Sequence, residues 1–182
     1  MTQRAIYAIS GASNDYRGYL IADEGKALRF VEQPWGRPLA DTWKTPSLIP
    51  FDKTASLPDA DFRSVYVPNL LLAKRTPAKV VSSFQVELLP ALIGSEDRFF
   101  LNFLLTLRRF RRESPDVVEV PGAILMMRKA DFYADDIPTE PRALWFHDGN
   151  APRFLLCNDQ FKNVIESGGF SGLSFEHIGY AH

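Results

Sequence analysis

The stretch that decides the fold is residues 153–178, which read RFLLCNDQFKNVIESGGFSGLSFEHI. It predicts a strand, a short helix and a closing strand. Asn158 can cap the helix by accepting a hydrogen bond from an amide of the first turn. Gly168 and Gly169 can end it, because glycine takes the left-handed conformation at little steric cost. Three apolar side chains share one face of this helix: Phe161, Val164 and Ile165.

The predicted helix has roughly ten residues and is too short to be stable alone in water. Its apolar face must therefore pack on the flanking strands. The stretch contains no catalytic group in a recognisable arrangement, and the fold is what it predicts.

The whole chain predicts an α+β fold with a mixed, mostly antiparallel sheet, a few short helices and a β-rich N-terminal part. A length of 182 residues fits one domain, 1–182, in which residues 1–60 could form a subdomain. Thr76-Pro77 predicts a helix start with proline at the first position. Short apolar runs between turn residues predict strands at 5–10, 19–22, 27–32, 65–67, 70–73, 86–92, 117–120, 123–127 and 143–146.

Four regions carry more specific expectations. Residues 34–60 hold five prolines and two tryptophans, which predicts an ordered but irregular connection lying against a core. Proline also predicts a break in the 86–92 strand at Pro90. Residues 99–107 are the most apolar run and fit a buried strand better than a helix. Residues 130–134 predict a short helical turn.

An internal repeat is suggested by an offset of 84 positions, which places residues 68–83 over residues 152–167 without a gap. Five of the sixteen aligned positions are identical. Two strand–helix–strand units would follow from a true repeat. Chance similarity of two amphipathic segments stays equally open.

Composition limits the classes of partner. The formal charge of −1 and a pI near 6.3 argue against a global surface for nucleic acid or anionic lipid. Cys157 lies in an apolar run, which favours a buried side chain over a nucleophile. No apolar run approaches the ~20 residues that span a bilayer, so we expect a cytoplasmic protein without membrane contact.

Two charged clusters are the candidate binding residues. The basic cluster is Arg108, Arg109, Phe110, Arg111 and Arg112, and the acidic cluster is Asp131, Asp135 and Asp136 with Glu140 nearby. The basic cluster could be a solvated loop with Phe110 tucked in, a contact for an acidic protein, or a grip on nucleic acid. The aromatic neighbours of the acidic cluster, Phe132 and Tyr133, make it a second candidate for protein contact.

Catalytic and metal sites have little support in the sequence. The three histidines, His147, His177 and His182, are not spaced as metal ligands usually are. The glycine-containing segments lack the Lys-Ser/Thr of a phosphate-binding loop, and no Gly-x-Ser-x-Gly motif occurs. We therefore expect no metal, no cofactor and no conventional active site.

Residues 154–178 resemble the closing segment of a family of bacterial polymorphic-toxin immunity proteins, a myxobacterial-type immunity domain formerly catalogued as a domain of unknown function. That family ends with a strand, a capped helix and a Gly-Leu-x-Phe strand, here Gly172-Leu-Ser-Phe175. The element Gly36-Arg-Pro-Leu39, residues 70–84 and the strand ending Leu89-Pro90 are similar to earlier parts of the family. The resemblance spans about residues 36–178.

The resemblance implies a cytoplasmic antidote that binds and blocks a cognate toxin delivered between bacterial cells. It brings no catalytic, metal or cofactor residue to carry over, so the protein would act as a binding protein and not as an enzyme. The run from Arg108 to Arg112 departs from the family pattern and could belong to this member's own partner. Alternatives are an enzymatic antidote that reverses a toxin modification, or a nucleic-acid-associated protein that uses Arg108–Arg112. A homodimer is a further option.

Overall fold

A computed structural model describes residues 3–11, 15–23, 33–65, 67–111, 116–120, 123–148 and 151–182. Within these ranges strands dominate, the helices are short and most strand pairs are antiparallel, so the predicted α+β class is confirmed. The chain divides into two compact units. We call Met1–Ile9, Leu105–Gly169 and Phe175–His182 the terminal unit, and Ser10–Leu104 with Phe170–Ser174 the barrel unit. This division does not follow the boundary at residue 60 that the sequence suggested for a subdomain.

The described elements are numbered in chain order. The helices are α1 (Arg75–Val81) and α2 (Asp159–Ser167), and short 3-10 helices lie at Ala40–Thr42, Asp52–Thr54, Ser82–Phe84 and Ala134–Asp136. The strands are β1 (Arg4–Gly11), β2 (Tyr19–Ile21), β3 (Ser47–Pro50), β4 (Phe62–Val65), β5 (Val67–Ala73), β6 (Val86–Ile93), β7 (Glu96–Phe103), β8 (Thr106–Leu107), β9 (Asp116–Val120), β10 (Ala123–Lys129), β11 (Ala143–Asp148), β12 (Ala151–Asn158) and β13 (Leu173–Ala181). No helix in the described ranges is long and apolar enough to cross a membrane.

The barrel unit closes on itself in the strand order β2-β3-β6-β7-β5-β4. Its core is aromatic: Trp35, Phe62, Phe100 and Phe103 are fully buried. Trp35, Trp43 and Phe100 stack edge to face or tilted, with ring centroids about 6 Å apart. The connection before β3 is therefore packed against the barrel, as the tryptophans predicted.

A buried asparagine fixes that proline-rich connection. Asn102 on β7 is fully buried and accepts a hydrogen bond from the Gly36 amide at 2.8 Å. Its Nδ2 donates to the Arg37 carbonyl at 2.7 Å and to Glu87 at 2.8 Å. The Glu87 carboxylate in turn accepts from the amides of Leu39 and Ala40, at the start of a 3-10 helix. Segment 34–60 is thus ordered as expected, although it also contains β3.

The terminal unit contains a five-stranded sheet in the order β13-β1-β12-β11-β8, with the hairpin β9-β10 beside it. One face buries a core that includes Ile6, Phe132, Phe146 and Leu156. Helix α2 is capped as predicted, because Asn158 Oδ1 accepts from the Phe161 amide at 3.0 Å. Phe161 and Ile165 of this helix are buried, and Gly169 follows it with a φ of 65°.

Asn158 does more than cap the helix. Its Oδ1 also accepts from the Arg142 amide at 3.1 Å, and its Nδ2 donates to the carbonyls of Pro138 and Glu140. Every hydrogen-bonding group of this buried side chain is satisfied, so the segment before β11 is tied to the start of α2.

Three sequence predictions were wrong in detail. The run 99–107 is two strands, because Leu104 N donates to Gln85 O in the barrel unit and Leu105 O accepts from Trp145 N in the terminal unit.

The second difference is that strand β6 continues through Pro90, where a break was predicted. Proline has no amide hydrogen, but Pro90 lies before the part of β6 that pairs with β3, which begins at Leu92. The Leu92 amide donates to the Pro46 carbonyl, so no hydrogen bond between β3 and β6 is lost at Pro90.

The third difference concerns residues 130–134, where a helical turn was predicted. Ala130 and Phe132 instead donate to the carbonyls of Ile178 and Tyr180, each at 2.8 Å. Ala130–Ala134 therefore forms an extended edge segment parallel to β13, and the 3-10 helix begins only at Ala134. Helix α1 starts at Arg75, slightly before the predicted Thr76-Pro77. The predicted strand 27–32 lies outside the described residues.

The two units repeat one arrangement. Seven elements of the barrel unit each have a counterpart in the terminal unit. Strands β2, β3, β4 and β5 correspond to β8, the edge segment, β11 and β12. Helix α1 then corresponds to α2, β6 to β13 and β7 to β1. The pairing sense agrees: β2–β4 and β8–β11 are parallel, and β4–β5 and β11–β12 are antiparallel. Lys74 N donates to Asp61 O at 2.9 Å, and Asn158 N donates to Arg142 O at 3.1 Å. Lys74 and Asn158 are the residues that the offset of 84 aligns, so the structure supports the internal repeat.

Replacing Asn102 with alanine should destabilise the barrel unit by about 3 kcal/mol, because Gly36, Arg37 and Glu87 lose buried hydrogen-bond partners. Urea unfolding measures the change. Asn163→Ala on the exposed side of α2 is the matched control and should change the free energy of unfolding by less than about 0.5 kcal/mol. Equal effects of the two substitutions would contradict the role of Asn102.

Candidate functional site

The two predicted charged clusters meet in the terminal unit. Arg109 is largely exposed and forms a two-point ion pair with Asp136, with Nε–Oδ2 at 2.6 Å and Nη2–Oδ1 at 2.8 Å. Its guanidinium lies 4.7 Å from the ring centre of Tyr133. The clusters therefore form one mixed-charge surface and not two opposed ones.

The other predicted site residues have different surroundings. Phe110 packs on the core, and its ring centre lies 6.0 Å from that of Phe146. This agrees with the interpretation of the basic cluster as a loop whose aromatic side chain packs inward. Arg111 donates its amide to the Asp131 carbonyl at 2.7 Å. Arg108 and Asp135 are exposed. Arg112 lies outside the described residues, and the exposed side chain of Glu140 lies 3.9 Å from that of Arg142.

A row of aromatic rings continues this surface along β13. The ring centres of Tyr7 and His177 are 5.5 Å apart, those of His177 and Tyr180 are 4.8 Å apart, and those of Tyr180 and His182 are 6.4 Å apart. His182 Nε2 lies 3.4 Å from the Asp131 carboxylate. We call Tyr7, Tyr133, His177, Tyr180, His182 and Arg109 the aromatic strip.

The edge segment places Tyr133 on the strand next to the one that carries Tyr180. Phe132 and Ala181 are paired and both point into the core, so their neighbours Tyr133, Tyr180 and His182 project from the opposite face. Tyr133 and Tyr180 are each 39% exposed. The Asp131 side chain accepts from the Tyr180 amide at 3.2 Å and holds the segment in register.

Gly179 makes this close pairing possible. A Cβ added at Gly179 would lie 2.0 Å from the carbonyl oxygen of Ala130. Only glycine therefore lets the edge segment approach β13 closely enough for the bonds from Ala130 and Phe132. The geometry of the aromatic strip depends on that approach.

Sequence reasoning missed most of the aromatic strip. Tyr7, Tyr133 and Tyr180 come from three distant parts of the chain, and the histidines were weighed only as metal ligands. The signal that could have found part of it is the C-terminal half of β13, where His177 and Tyr180 are exposed and flank the buried Ile178.

The described parts of the chain contain no evident site for metal binding or for thiol chemistry. No group of three or more His, Cys, Asp and Glu residues there could hold a metal ion. Cys157 is fully buried, as predicted, and burial raises the pKa of its thiol well above the ordinary value. A thiol with a raised pKa stays protonated and is a poor nucleophile.

A second polar cluster, in the barrel unit, was not predicted. Asp59 accepts a hydrogen bond from the Tyr19 hydroxyl at 2.9 Å and from Arg98 at 2.8 Å, and Lys74 lies 3.4 Å away. Burial alone would raise the pKa of Asp59, but the Tyr19 hydrogen bond and the charges of Lys74 and Arg98 outweigh it and lower that pKa. Burial and the same hydrogen bond raise the pKa of Tyr19.

The Asp59 cluster is a structural clamp. It borders a groove of about 480 Å³ whose basic residues all pair with carboxylates: Arg75 with Asp97, Arg98 with Glu96 and Asp59, and Lys74 with Asp59 and Asp61. Lys74 also donates to the Asp59 carbonyl at 3.2 Å, which ties the segment before β4 to the start of α1. Asn158 makes the corresponding connection in the terminal unit.

Replacing Gly179 with alanine should destabilise the terminal unit by about 3 kcal/mol, because the new methyl group forces the Ala130 backbone away from β13. Hydrogen exchange should be faster at the amides of Ala130 and Phe132. Gly168→Ala is the control, since Gly168 is exposed and has a right-handed backbone with φ of −72°. Unchanged protection of the Ala130 and Phe132 amides in Gly179→Ala would contradict the role of Gly179.

Because of Asp59, the free energy of unfolding should decrease at low pH. Its pKa is lower in the folded state than its ordinary value of 3.8, so its contribution is complete above that value and is lost as pH falls through the folded pKa. Asp59→Asn should therefore lower the free energy of unfolding at pH 7 and much less at about pH 2. Asp97→Asn, which breaks the exposed pair with Arg75, should have little effect at either pH. A pH-independent effect of Asp59→Asn would refute this assignment.

Comparison with known proteins leaves the geometry as the main guide to function. The sequence matches no protein-family model and no curated protein. The aromatic strip, with its charged neighbours, is the surface in the described residues that concentrates binding groups.

Proposed function

We propose that this protein is an immunity protein that neutralises a cognate bacterial toxin by binding it through the aromatic strip. The observation that carries the proposal is a surface in which the rings of Tyr7, His177, Tyr180 and His182 stack in a row, with the Arg109–Tyr133 pair on the adjoining edge segment. The resemblance of residues 36–178 to immunity proteins supplies the identity of the partner class.

The composition of the aromatic strip suits a protein interface. Tyrosine and arginine dominate binding energy at interfaces, because each offers a large apolar surface together with a polar end. Tyr133 and Tyr180 are equally exposed, and Arg109 lies over the ring of Tyr133. A partner can cover Arg109 without leaving its guanidinium unpaired, because Asp136 already accepts two hydrogen bonds from it.

The charges favour specific and rapid binding. Arg109 is already held by Asp136, and His182 by Asp131, so these side chains lose less freedom when a partner arrives. Mixed charges at the rim of an apolar patch orient a complementary partner and reject like-charged ones. A toxin neutraliser needs such capture and no chemistry of its own.

Growth rescue tests the proposal. The protein encoded by the adjacent gene is expressed from an inducible promoter with this chain or its variants, and growth and co-purification are measured. Tyr180→Ala should weaken the complex by at least 2 kcal/mol, about thirtyfold, because it removes a central aromatic contact. Rescue should fall accordingly.

Phe51→Ala is the matched control, since Phe51 is an aromatic residue with 37% exposure in the barrel unit, against 39% for Tyr180. It should leave rescue and affinity unchanged. Equal affinity of Tyr180→Ala and the unchanged protein would remove the aromatic strip as the contact. Rescue without a stable complex would replace the binding mechanism with an enzymatic antidote.

A further inference from the structure

A turn at the end of the edge segment holds Arg109 from two sides. We call residues 133–137 the Arg109 turn. The Asp136 carboxylate accepts from Nε and Nη2 of Arg109, and the Tyr133 ring centre lies 4.7 Å from the same guanidinium. Tyr133 O accepts from the Asp136 amide at 3.1 Å, which brings both side chains to that group. The direction in which Arg109 points therefore depends on how the Arg109 turn is oriented.

The backbone bonds of the Arg109 turn fix one of its ends better than the other. The Ala134 amide donates to the His182 carbonyl at 3.0 Å, which fixes the near end to β13. At the far end the Ile137 amide donates to the Ala134 carbonyl at 3.3 Å, beyond the usual range for this kind of bond. The far end therefore benefits most from support by another part of the chain.

Arg4, the first residue of β1, gives that support. Its half-buried guanidinium donates from Nη1 to the Ile137 carbonyl and from Nη2 to the Ala134 carbonyl. Asp136 lies between these two acceptors in the chain. A planar guanidinium holds its donors at a fixed spacing, so it also fixes the separation of the two carbonyls that it spans. Both acceptors are neutral, and the bonds of Arg4 therefore set geometry and do not neutralise a charge.

The turn leaves part of Arg109 available to a partner. A guanidinium has five N–H donors, and Asp136 accepts from two of those of Arg109, which leaves three. The Arg109 side chain is 63% exposed. Because its plane is already fixed, it loses little freedom when acceptor oxygen atoms of a partner bind the remaining donors.

We propose that Arg4 is a positioning residue for toxin binding, which orients the Arg109 turn so that the remaining donors of Arg109 meet acceptor oxygen atoms of the toxin. Arg4 acts through Arg109 and does not itself contact the toxin. This inference rests on the proposed function, because it concerns the same surface.

The NMR signal of the Arg109 Nε–H group tests the positioning on the protein alone. Arg4→Met keeps an apolar stem and removes both bonds to the turn, so hydrogen exchange at Arg109 Nε should become at least about threefold faster. Arg142→Met is the matched control. Arg142 also donates to a backbone carbonyl in the terminal unit, but to that of its sequence neighbour Pro141. This control should leave exchange at Arg109 Nε unchanged.

Titration with the protein encoded by the adjacent gene tests the role in binding. Arg4→Met and Arg109→Gln should each raise the dissociation constant about tenfold. The double variant should bind no more weakly than Arg109→Gln, because Arg4 acts through Arg109. A merely structural role of Arg4 would instead weaken binding by the same factor with and without Arg109.

Arg4→Lys separates geometry from charge. Lysine keeps the charge but carries a single nitrogen, which cannot reproduce the two-point contact. Arg4→Lys should therefore bind the toxin about as weakly as Arg4→Met, while Arg142→Met should bind like the unchanged protein. Thermal unfolding identifies the variants that fold, and Arg4→Lys replaces Arg4→Met in every comparison if Arg4→Met does not.

The outcomes distinguish this inference from the proposed function. Unchanged exchange at Arg109 Nε, effects that multiply in the double variant, or full affinity of Arg4→Lys would overturn the role of Arg4 while the toxin complex remains. If the unchanged protein forms no complex, the proposed function fails, and the role of Arg4 in binding fails with it.

Discussion

The connection between a hairpin and the helix that follows it is the constraint on which both units depend. In the terminal unit Asn158 satisfies its whole side chain while joining the start of α2 to the segment before β11. In the barrel unit Lys74 occupies the same place and reaches Asp59. A helix of seven or nine residues has little stability of its own, so this attachment and the burial of its apolar side chains together hold it in place.

Local chemistry was predictable from the sequence where it depended on neighbouring residues. The cap at Asn158, the glycine after α2 and the burial of Phe161 and Cys157 all follow from spacing and side-chain type. The extended form of the edge segment could not be predicted in this way, because it depends on hydrogen bonds to β13, which lies far away in the chain. The break after Phe103 has the same origin, since it reflects a change of sheet and not a local signal.

The candidate site was only partly predictable for the same reason. Arg109 and Asp136 were each identified by charge, but their pairing joins segments that sequence reasoning treated as separate surfaces. Tyr7 and Tyr180 carry no motif, and they meet only through His177. The Asp59 cluster was invisible because its members are ordinary residues until the barrel brings β2, β5 and β7 together.

The position of β1 has a consequence for how the molecule is made. In the barrel unit the corresponding strand, β7, directly follows its neighbour β6, whereas Ile6 and Tyr7 of β1 pair with Asn158 and Cys157. Strand β1 is synthesised before the other described strands and must therefore wait for β12 and β13 before it finds its place between them. Once Ser10–Leu104 has been synthesised, the barrel unit lacks only the segment Phe170–Ser174. Vectorial synthesis thus favours assembly of the barrel unit first and the pairing of β1 with β12 and β13 last.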